Sequence, residues 1–344
     1  MPRILFIKTS SLGDVVHNCP AVSDILRCVP GAQIDWVVED SFADVAALHA
    51  GVRRVIPVSI RRWRSELFSS AAWSEMFAFR AALRAERYDA VIDSQGLVKS
   101  ALVAAMARGR RHGFDRASAR EPFAARFYDV RHGVAAGLHA VERNRLLVAA
   151  ALGYDVPAGL HAVERNRRLA AAALGYSAGG DCDYGLHVAG EAPIRMQSPY
   201  ALLLTMTSRD DKLWPEEHWR TLGAWLAQHG ILCLLPWGSE EERRRCARIA
   251  SAVRRAVVLP HMALADVARL ARDAGCVVGV DTGLAHLAAA LQAPVVGLFC
   301  GSDPALTGLH GNGRVRNLGQ AGRVPAVGEV QAALTDLGVL EEQR

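Results

Sequence analysis

The clearest candidate for chemistry is an apolar run followed directly by a turn of small polar residues and a helix. The run Cys276–Val280 is β-branched, as is typical of a central parallel strand, and it ends at Asp281. Thr282 and Gly283 follow, and a helix is predicted from about Leu284. Because the first N–H groups of a helix lack intrahelical partners and glycine allows close approach, this turn could hold a phosphate. The alternative is that Asp281 and Thr282 only cap the helix.

A similar strand, loop and helix pattern begins the chain. Residues 3–8 are predicted as a strand, 9–14 as a loop and 15–28 as a helix. The loop has one glycine, Gly13, and lacks the GxGxxG fingerprint of dinucleotide-binding folds, which argues against NAD. Asp14 lies after the first strand, where open α/β sheets place their ligands, so its carboxylate could face a cleft. Helix capping is again the alternative.

Two further strand ends carry polar side chains. In residues 205–219, Lys212 could neutralise a diphosphate leaving group together with the helix amides after Asp281. The alternative is a plain polar turn. In residues 236–242, a carboxylate could accept the ribose hydroxyls of a nucleotide.

Arginines concentrate in the first half of the chain, although the net charge is only +5. The densest group, in twelve residues without an acid, is Arg53, Arg54, Arg61, Arg62 and Arg64. Arginine binds carboxylates and phosphates bidentately, so an anionic acceptor is predicted. A solvated basic face and anionic lipid headgroups are the alternatives. Nucleic acid is disfavoured, because the group holds one aromatic residue and no RNA-binding motif is present.

Strand-like and helix-like runs alternate along the chain, which predicts an α/β protein with doubly wound parallel sheets. Strands are predicted at 34–38, 54–58, 90–93 and 111–114, and in a second series at 200–204, 231–236, 256–259, 276–280 and 295–299. The pattern predicts two Rossmann-like domains, residues 1–190 and 191–344, that face each other across a cleft.

Composition favours a cytoplasmic protein that is soluble or peripheral to a membrane. The seven cysteines form no CxxC pair, which is typical of reduced thiols. The amino end has a short apolar strand rather than a signal peptide, and no apolar run approaches the ~18 residues that span a bilayer.

A tandem duplication interrupts the first domain. Residues 137–158 and 159–180 match at 16 of 22 positions. Two copies do not make a solenoid, so we expect one copy to fill a slot in the first domain and the other to pack beside it.

Seven short motifs follow one another along nearly the whole chain. They are KTSSLGD (8–14), IRRWR (60–64), DSQGLVKS (93–100), REP (120–122), TSRDDKLWPEEHW (207–219), LPWG (235–238) and VDTGLAHL (280–287). On these motifs the chain resembles the lipopolysaccharide heptosyltransferase I family. The resemblance implies a GT-B fold and a metal-independent, inverting transfer of L-glycero-D-manno-heptose from ADP-heptose to the Kdo of Kdo-lipid A, without a cofactor. It also implies peripheral association with the cytoplasmic face of the inner membrane.

The resemblance also assigns roles to individual residues. Asp14 matches the family's general base, and Lys212, Thr282 and Gly283 match residues that hold the donor's phosphates, Lys212 assisting departure of the leaving group. Glu240 matches a ribose-binding acid and Met262 a residue beside the adenine. The other donor-site positions are Gly13, Thr207, Ser208, Asp281 and His286. The acceptor-binding arginines are Arg61, Arg62, Arg64 and Arg120.

Two other functions remain open. A heptosyltransferase II-like enzyme would keep this donor site and use a heptosylated acceptor, whereas a nucleotide-sugar binding protein would bind ADP-heptose without turnover. Among the residues, His17 and His286 compete with Asp14 as the base. Any of the three consecutive acids that begin at Glu240 could bind the ribose.

Overall fold

The computed structural model describes residues 1–66, 68–133, 147, 151, 183–194, 196, 198–311 and 314–340. The chain divides into two compact units, Met1–Leu186 and His187–Arg344. This division lies four residues before the boundary placed by the sequence analysis. The tandem duplication at 137–158 and 159–180 lies outside the described residues, apart from Leu147 and Ala151.

The first unit is built on one parallel sheet. Its strands are β1 (Arg3–Ile7), β2 (Gln33–Glu39), β3 (Val52–Val58), β4 (Ala90–Asp93), β5 (Arg110–Phe114) and β6 (Val130–His132). They pair in the order β3-β2-β1-β4-β5-β6. The described helices are α1 (Leu12–Val16), α2 (Cys19–Cys28), α3 (Ala43–Ala47), α4 (Ile60–Ser65), α5 (Ser70–Arg84) and α6 (Val98–Met106), with 3-10 turns at Asp40–Phe42 and Pro122–Phe127.

The second unit repeats this plan. Its strands are β7 (Tyr200–Leu204), β8 (Leu232–Leu235), β9 (Ala256–Val258), β10 (Cys276–Val280), β11 (Val295–Phe299) and β12 (Val315–Gly319). They pair in the order β12-β11-β10-β7-β8-β9. The helices are α7 (Glu216–Gln228), α8 (Glu240–Ala250), α9 (Leu264–Asp273), α10 (Gly283–Ala290), α11 (Pro304–Thr307) and α12 (Val327–Asp336), with a 3-10 turn at Asp210–Lys212.

Both sheets have the Rossmann strand order, which confirms the predicted doubly wound α/β class. All strand pairs are parallel, and β1, β7, β10 and β11 are almost fully buried, as their apolar sequences predict. The strand order reverses between β1 and β4 in the first sheet and between β7 and β10 in the second. Ligands of open α/β sheets bind beyond the carboxyl ends of the strands at such a switch point. The fold therefore offers one candidate crevice in each unit.

Three elements differ from the sequence-based prediction. The helix predicted over 15–28 is two helices, α1 and α2, because Pro20 lies in the first turn of α2 and suits the start of a helix better than its interior. The predicted loop 9–14 is also too long, since α1 begins at Leu12, where Ser11 and Asp14 form a capping box. The short strands β6 and β12 were not predicted. Both lie at a sheet edge and are only partly buried, so they lack the continuous apolar run of a central strand.

The six described cysteines are buried free thiols. None of the described helices combines the length and the apolar character needed to cross a bilayer.

Candidate active site

Asp281 is the centre of a polar cluster at the switch point of the second sheet. Its Oδ2 accepts hydrogen bonds from Lys212 Nζ at 2.6 Å and Ser302 Oγ at 2.5 Å. Its Oδ1 lies 3.5 Å from His286 Nε2. Burial acts to raise the pKa of Asp281, but the hydrogen bonds from His286, Lys212 and Ser302 outweigh it, and the pKa lies well below its ordinary value. Asp281 is therefore a carboxylate at neutral pH, and it fixes the position of Lys212.

Lys212 reaches Asp281 because the loop after β7 is firmly anchored. The 3-10 turn Asp210–Lys212 is followed by Trp214, which is fully buried and donates its indole N–H to the carbonyl of Pro325 at 2.8 Å. Closer to the strand, Thr207 Oγ1 donates to the carbonyl of Asp281 at 2.9 Å. Two side chains of the β7 loop thus bind the turn after β10.

The loop after β11 completes the cluster. A β-carbon at Gly301 would lie 2.6 Å from the carbonyl oxygen of Asp211, so this close approach of two loops requires glycine. The approach places Ser302 against Asp281. Ser302 was not predicted from the sequence, because Cys300 and Gly301 separate it from the end of β11, whereas Asp281 follows β10 directly.

The first turn of α10 has no side-chain cap. Thr282 occupies the N-cap position, but its side chain makes no capping hydrogen bond, and the Asp281 carboxylate is directed to other partners. The alternative that these two residues only cap the helix is therefore wrong. The first N–H groups of α10, at Gly283 and Leu284, precede the first intrahelical bonds. These N–H groups, the Thr282 hydroxyl and the Lys212 ammonium form a set of donors suited to a diphosphate.

The acids at the start of α8 separate into different roles. Glu242 completes a capping box with Ser239, accepting from the backbone N–H groups of Gly238 at 2.5 Å and Ser239 at 3.3 Å. Glu240 is exposed and accepts two hydrogen bonds from Arg243, at 2.7 and 2.8 Å. Because Glu242 serves the helix cap, Glu240 and Glu241 are the acids that remain for a ribose.

The loops after β8 and β9 are joined by an aromatic pair. Trp237 donates its indole N–H to the carbonyl of Leu259 at 2.6 Å and packs edge-on against His261, with ring centroids 5.2 Å apart. Met262 follows and is half-buried against the core. These contacts join the loop that leads into α8, where Glu240 lies, to the loop that carries Met262.

In the first unit, Asp14 lies at the equivalent switch point. It is the third residue of α1 and accepts a backbone hydrogen bond from Ser11 at 3.0 Å, so it does cap this helix. It also contacts two cations: Lys8 Nζ lies 3.6 Å from Oδ1, and Arg120 Nη2 donates to Oδ1 at 3.1 Å. Burial acts to raise the pKa of Asp14, but the charges of Lys8 and Arg120 and the Ser11 hydrogen bond lower it overall.

The Asp14 loop is held by the loop after β4. Gln95 Oε1 accepts from the backbone N–H groups of Thr9 at 3.1 Å and Ser10 at 3.3 Å, and Lys8 Nζ donates to the carbonyl of Ser94 at 2.9 Å. Lys8 is buried, whereas Arg120 is half-exposed. The chain's lysines are Lys8, Lys99 and Lys212, three of its 40 basic residues. Two of these three lysines therefore pair with the carboxylates at the two switch points.

The predicted basic surface is only partly observed. Arg53 and Arg54 both bind the fully buried carboxylate of Asp35, so their inclusion in one exposed basic group is wrong. Asp35 belongs to β2 and reaches the arginines because β2 and β3 are paired. On α4, Arg62 binds Glu75 at 2.6 Å.

The other two arginines of α4 remain exposed. Within the described part of the chain, Arg61 and Arg64 form no ion pair, and the structure records no hydrogen bond from α4 to Asp14. Of the four arginines predicted to bind the acceptor, Arg120 is the one for which the structure records a contact with Asp14. Of the competing bases, His17 is buried after α1 and His286 is paired with Asp281. Gly13 is the second residue of α1, and Ser208 lies exposed in the loop after β7.

Known proteins share this architecture. Residues 76–333 match the family model described as glycosyltransferase family 9 (heptosyltransferase). The chain is 46% identical over 314 residues to lipopolysaccharide heptosyltransferase 1 of Escherichia coli (strain K12). The alignment covers 91% of this chain and 92% of that protein. The chain belongs to glycosyltransferase family 9. A Pseudomonas aeruginosa protein also named lipopolysaccharide heptosyltransferase 1 is 44% identical to this glycosyltransferase over 314 residues, covering 91% of this chain and 82% of that protein.

Solved structures agree with this membership. The structure titled E. coli heptosyltransferase WaaC with ADP has a TM-score of 0.83 and 41% sequence identity, covering 97% of this chain and 99% of that chain. The glycosyltransferase described here therefore has the two six-stranded parallel domains of the GT-B heptosyltransferases.

Proposed function

We propose that this glycosyltransferase transfers L-glycero-D-manno-heptose from ADP-heptose to the Kdo of Kdo-lipid A, in synthesis of the lipopolysaccharide inner core. The observation that carries the proposal is the diphosphate-suited set of donors at the β7/β10 switch point, around Lys212, Thr282 and Gly283. Relatives named lipopolysaccharide heptosyltransferase 1, at 44 to 46% identity, support the sugar and the acceptor.

The donor would be held by its diphosphate and its nucleoside. Lys212, the Thr282 hydroxyl and the N–H groups at the start of α10 bind the phosphates, and Asp281 keeps the ammonium in place. Glu240 binds the ribose, Met262 lies beside the adenine, and Thr207, Ser208 and His286 complete the part of the donor site that belongs to the second unit. The positive donors also stabilise the charge that develops on ADP as it leaves, which is the role that a metal ion fills in other enzymes.

Asp14 would act as the general base in a single displacement. As the Kdo hydroxyl oxygen bonds to the anomeric carbon, its proton passes to the Asp14 carboxylate and the bond from that carbon to the phosphate oxygen breaks. One displacement inverts the anomeric configuration. Because Arg120 donates to Asp14, an acceptor carboxylate or phosphate that binds Arg120 arrives beside the base. Arg61, Arg62 and Arg64 would bind further anionic groups of the acceptor.

The proposed acceptor indicates where in the cell the enzyme works. Kdo-lipid A is a membrane lipid, so we place the enzyme in the cytoplasm, peripherally associated with the inner membrane.

The proposal is tested by ADP release from ADP-heptose, with and without Kdo-lipid A. We expect acceptor-dependent release by the parent chain, and a loss of about 10²- to 10⁴-fold in Asp14→Asn. The affinity for ADP should stay within about twofold in that variant, because Asp14 is proposed to act on the acceptor hydroxyl and not to bind ADP. Asp44→Asn, which changes an exposed carboxylate on α3, is the matched control.

Three outcomes would contradict parts of the proposal. Release that requires a heptosylated acceptor would indicate the heptosyltransferase II-like function. ADP-heptose binding without release on either acceptor would indicate a binding protein. Full activity of Asp14→Asn would remove Asp14 as the base.

A further inference from the structure

Helix α5 exposes an aromatic and basic stripe to solvent. At 100° per residue, Trp73, Phe77, Arg80 and Arg84 fall within about 60° of one another around the helix. Trp73 is 49% exposed and Phe77 is 63% exposed. Their ring centroids lie 6.2 Å apart, so the two aromatics form one patch. On another side of the helix, Ala72, Phe79 and Leu83 are buried in the core.

No carboxylate interrupts this stripe. The one acid of α5, Glu75, is directed to α4, where it accepts from Arg62 at 2.6 Å and from the indole N–H of Trp63 at 2.9 Å. Phe68, in the turn before α5, is fully exposed. The helix and its preceding turn therefore present aromatic rings and arginines together.

In the part of the chain that the structure describes, the exposed large aromatic side chains all belong to the first unit. They are Phe68, Trp73, Phe77 and Phe123. Among the described residues of the second unit, the exposed large hydrophobic residues are Val257 and Val324. Exposed apolar clusters are uncommon on monomeric proteins, because contact between apolar groups and water is unfavourable. Such a cluster usually marks a contact surface.

We propose that the α5 face, defined as Phe68, Trp73, Phe77, Arg80 and Arg84, docks on an anionic lipid bilayer. The aromatic rings enter the boundary between headgroups and acyl chains, and the arginines bind the phosphates of the headgroups. The inference rests on the proposed function, which places the acceptor in a membrane. A second copy of the chain fits this face poorly, because it would bring arginines against arginines without a carboxylate between them.

Docking at α5 would also favour delivery of the acceptor. Helix α4 carries the proposed acceptor residues Arg61 and Arg64, and the contact of Arg62 with Glu75 ties it to α5. The arginines of α4 would then lie beside the lipid surface that presents the acceptor.

The test is co-sedimentation of the full chain with vesicles of phosphatidylcholine, alone or mixed with phosphatidylglycerol. We expect binding to the mixed vesicles that weakens at high salt. Trp73→Ser/Phe77→Ser should lower the partition coefficient at least about tenfold, and Arg80→Gln about fivefold. Val257→Ser/Val324→Ser, which changes exposed apolar residues of the second unit, should bind as the parent does.

Activity separates this inference from the proposed function. With a deacylated, water-soluble acceptor, Trp73→Ser/Phe77→Ser should release ADP at the parental rate, which also shows that the variant folds. With vesicle-borne acceptor its rate should fall. If the parent releases ADP on neither acceptor, the proposed function fails while the sedimentation result still decides docking.

Two results would overturn the docking surface. One is undiminished vesicle binding by Trp73→Ser/Phe77→Ser. The other is a dimer of the parent chain, seen by gel filtration, that this variant dissociates, because the α5 face would then be an interface between copies.

Discussion

Replacing Lys212 with methionine isolates the charge that the proposed donor site offers to a diphosphate. Methionine keeps an unbranched side chain of similar reach and removes the ammonium. The Lys212 side chain is 19% exposed and its partner Asp281 is 8% exposed, so the ammonium acts in a largely desolvated site. A hydrogen bond to a charged group contributes about 1.5–3 kcal/mol. We therefore expect the Kd for ADP to rise about 10- to 150-fold.

Titration calorimetry with ADP and with adenosine measures this effect. Adenosine lacks the diphosphate, so its affinity should change less than about twofold in Lys212→Met. Lys99→Met, in the first unit, is the matched control and should leave both affinities unchanged. Equal weakening of ADP and adenosine would refute the reasoning, since Lys212 would then support the site as a whole. A parental affinity for ADP would refute it as well.

The same variant should alter the response to acid. The folded pKa of Asp281 is lowered, so its carboxylate stabilises the fold above its unfolded pKa, and this contribution is lost as the pH falls through the folded value. Lys212→Met removes one of the hydrogen bonds that lower this pKa. The variant should therefore begin to lose stability at a higher pH than the parent, as followed by far-UV circular dichroism.

Three further predictions concern stability. Ser302→Ala removes one hydrogen bond to Asp281 and should lower the free energy of unfolding by about 1 kcal/mol in urea titrations, with little change in ADP affinity because the lysine keeps its partner. Asp35→Asn leaves two arginines beside a buried amide and should lower the free energy of unfolding by about 3 kcal/mol, measured by the same method. This value is near the low end for a broken buried ion pair, because both arginines are about one-third exposed. Burial lowers the pKa of His112 from 6.5 to about 4, so stability should fall as the pH drops from 6.5 to 4, by up to about 3 kcal/mol; His112→Phe should flatten this dependence of the melting temperature.

The sequence predicts elements whose physics is local. The run Cys276–Val280 identifies a buried parallel strand, and the small polar residues after it identify a turn that can bind an anion. The helix cap of Glu242 was also readable, because a serine three residues before a glutamate is a capping-box signature, yet the sequence analysis left the three acids equivalent.

Long-range pairs could not be read in the same way. The contact between Lys212 and Asp281 joins residues that are 69 positions apart, and it depends on β7 and β10 being neighbours in the sheet. The arginines at 53 and 54 look like surface charge until the register of β2 and β3 brings Asp35 beside them. The sequence of the edge strand β12 lacks the apolar pattern of a strand, because this segment becomes a strand through its pairing with β11.

The scarcity of lysine makes amine chemistry a direct probe of both switch points. Acylating reagents modify amines and leave guanidinium groups unchanged, so only the amino terminus and three side chains can be labelled. Two of those side chains, Lys8 and Lys212, are largely buried against carboxylates, which limits the access of the reagent. Peptide mapping of a mild acylation, with and without ADP, would therefore footprint a 344-residue enzyme at the two positions where its chemistry is proposed to occur.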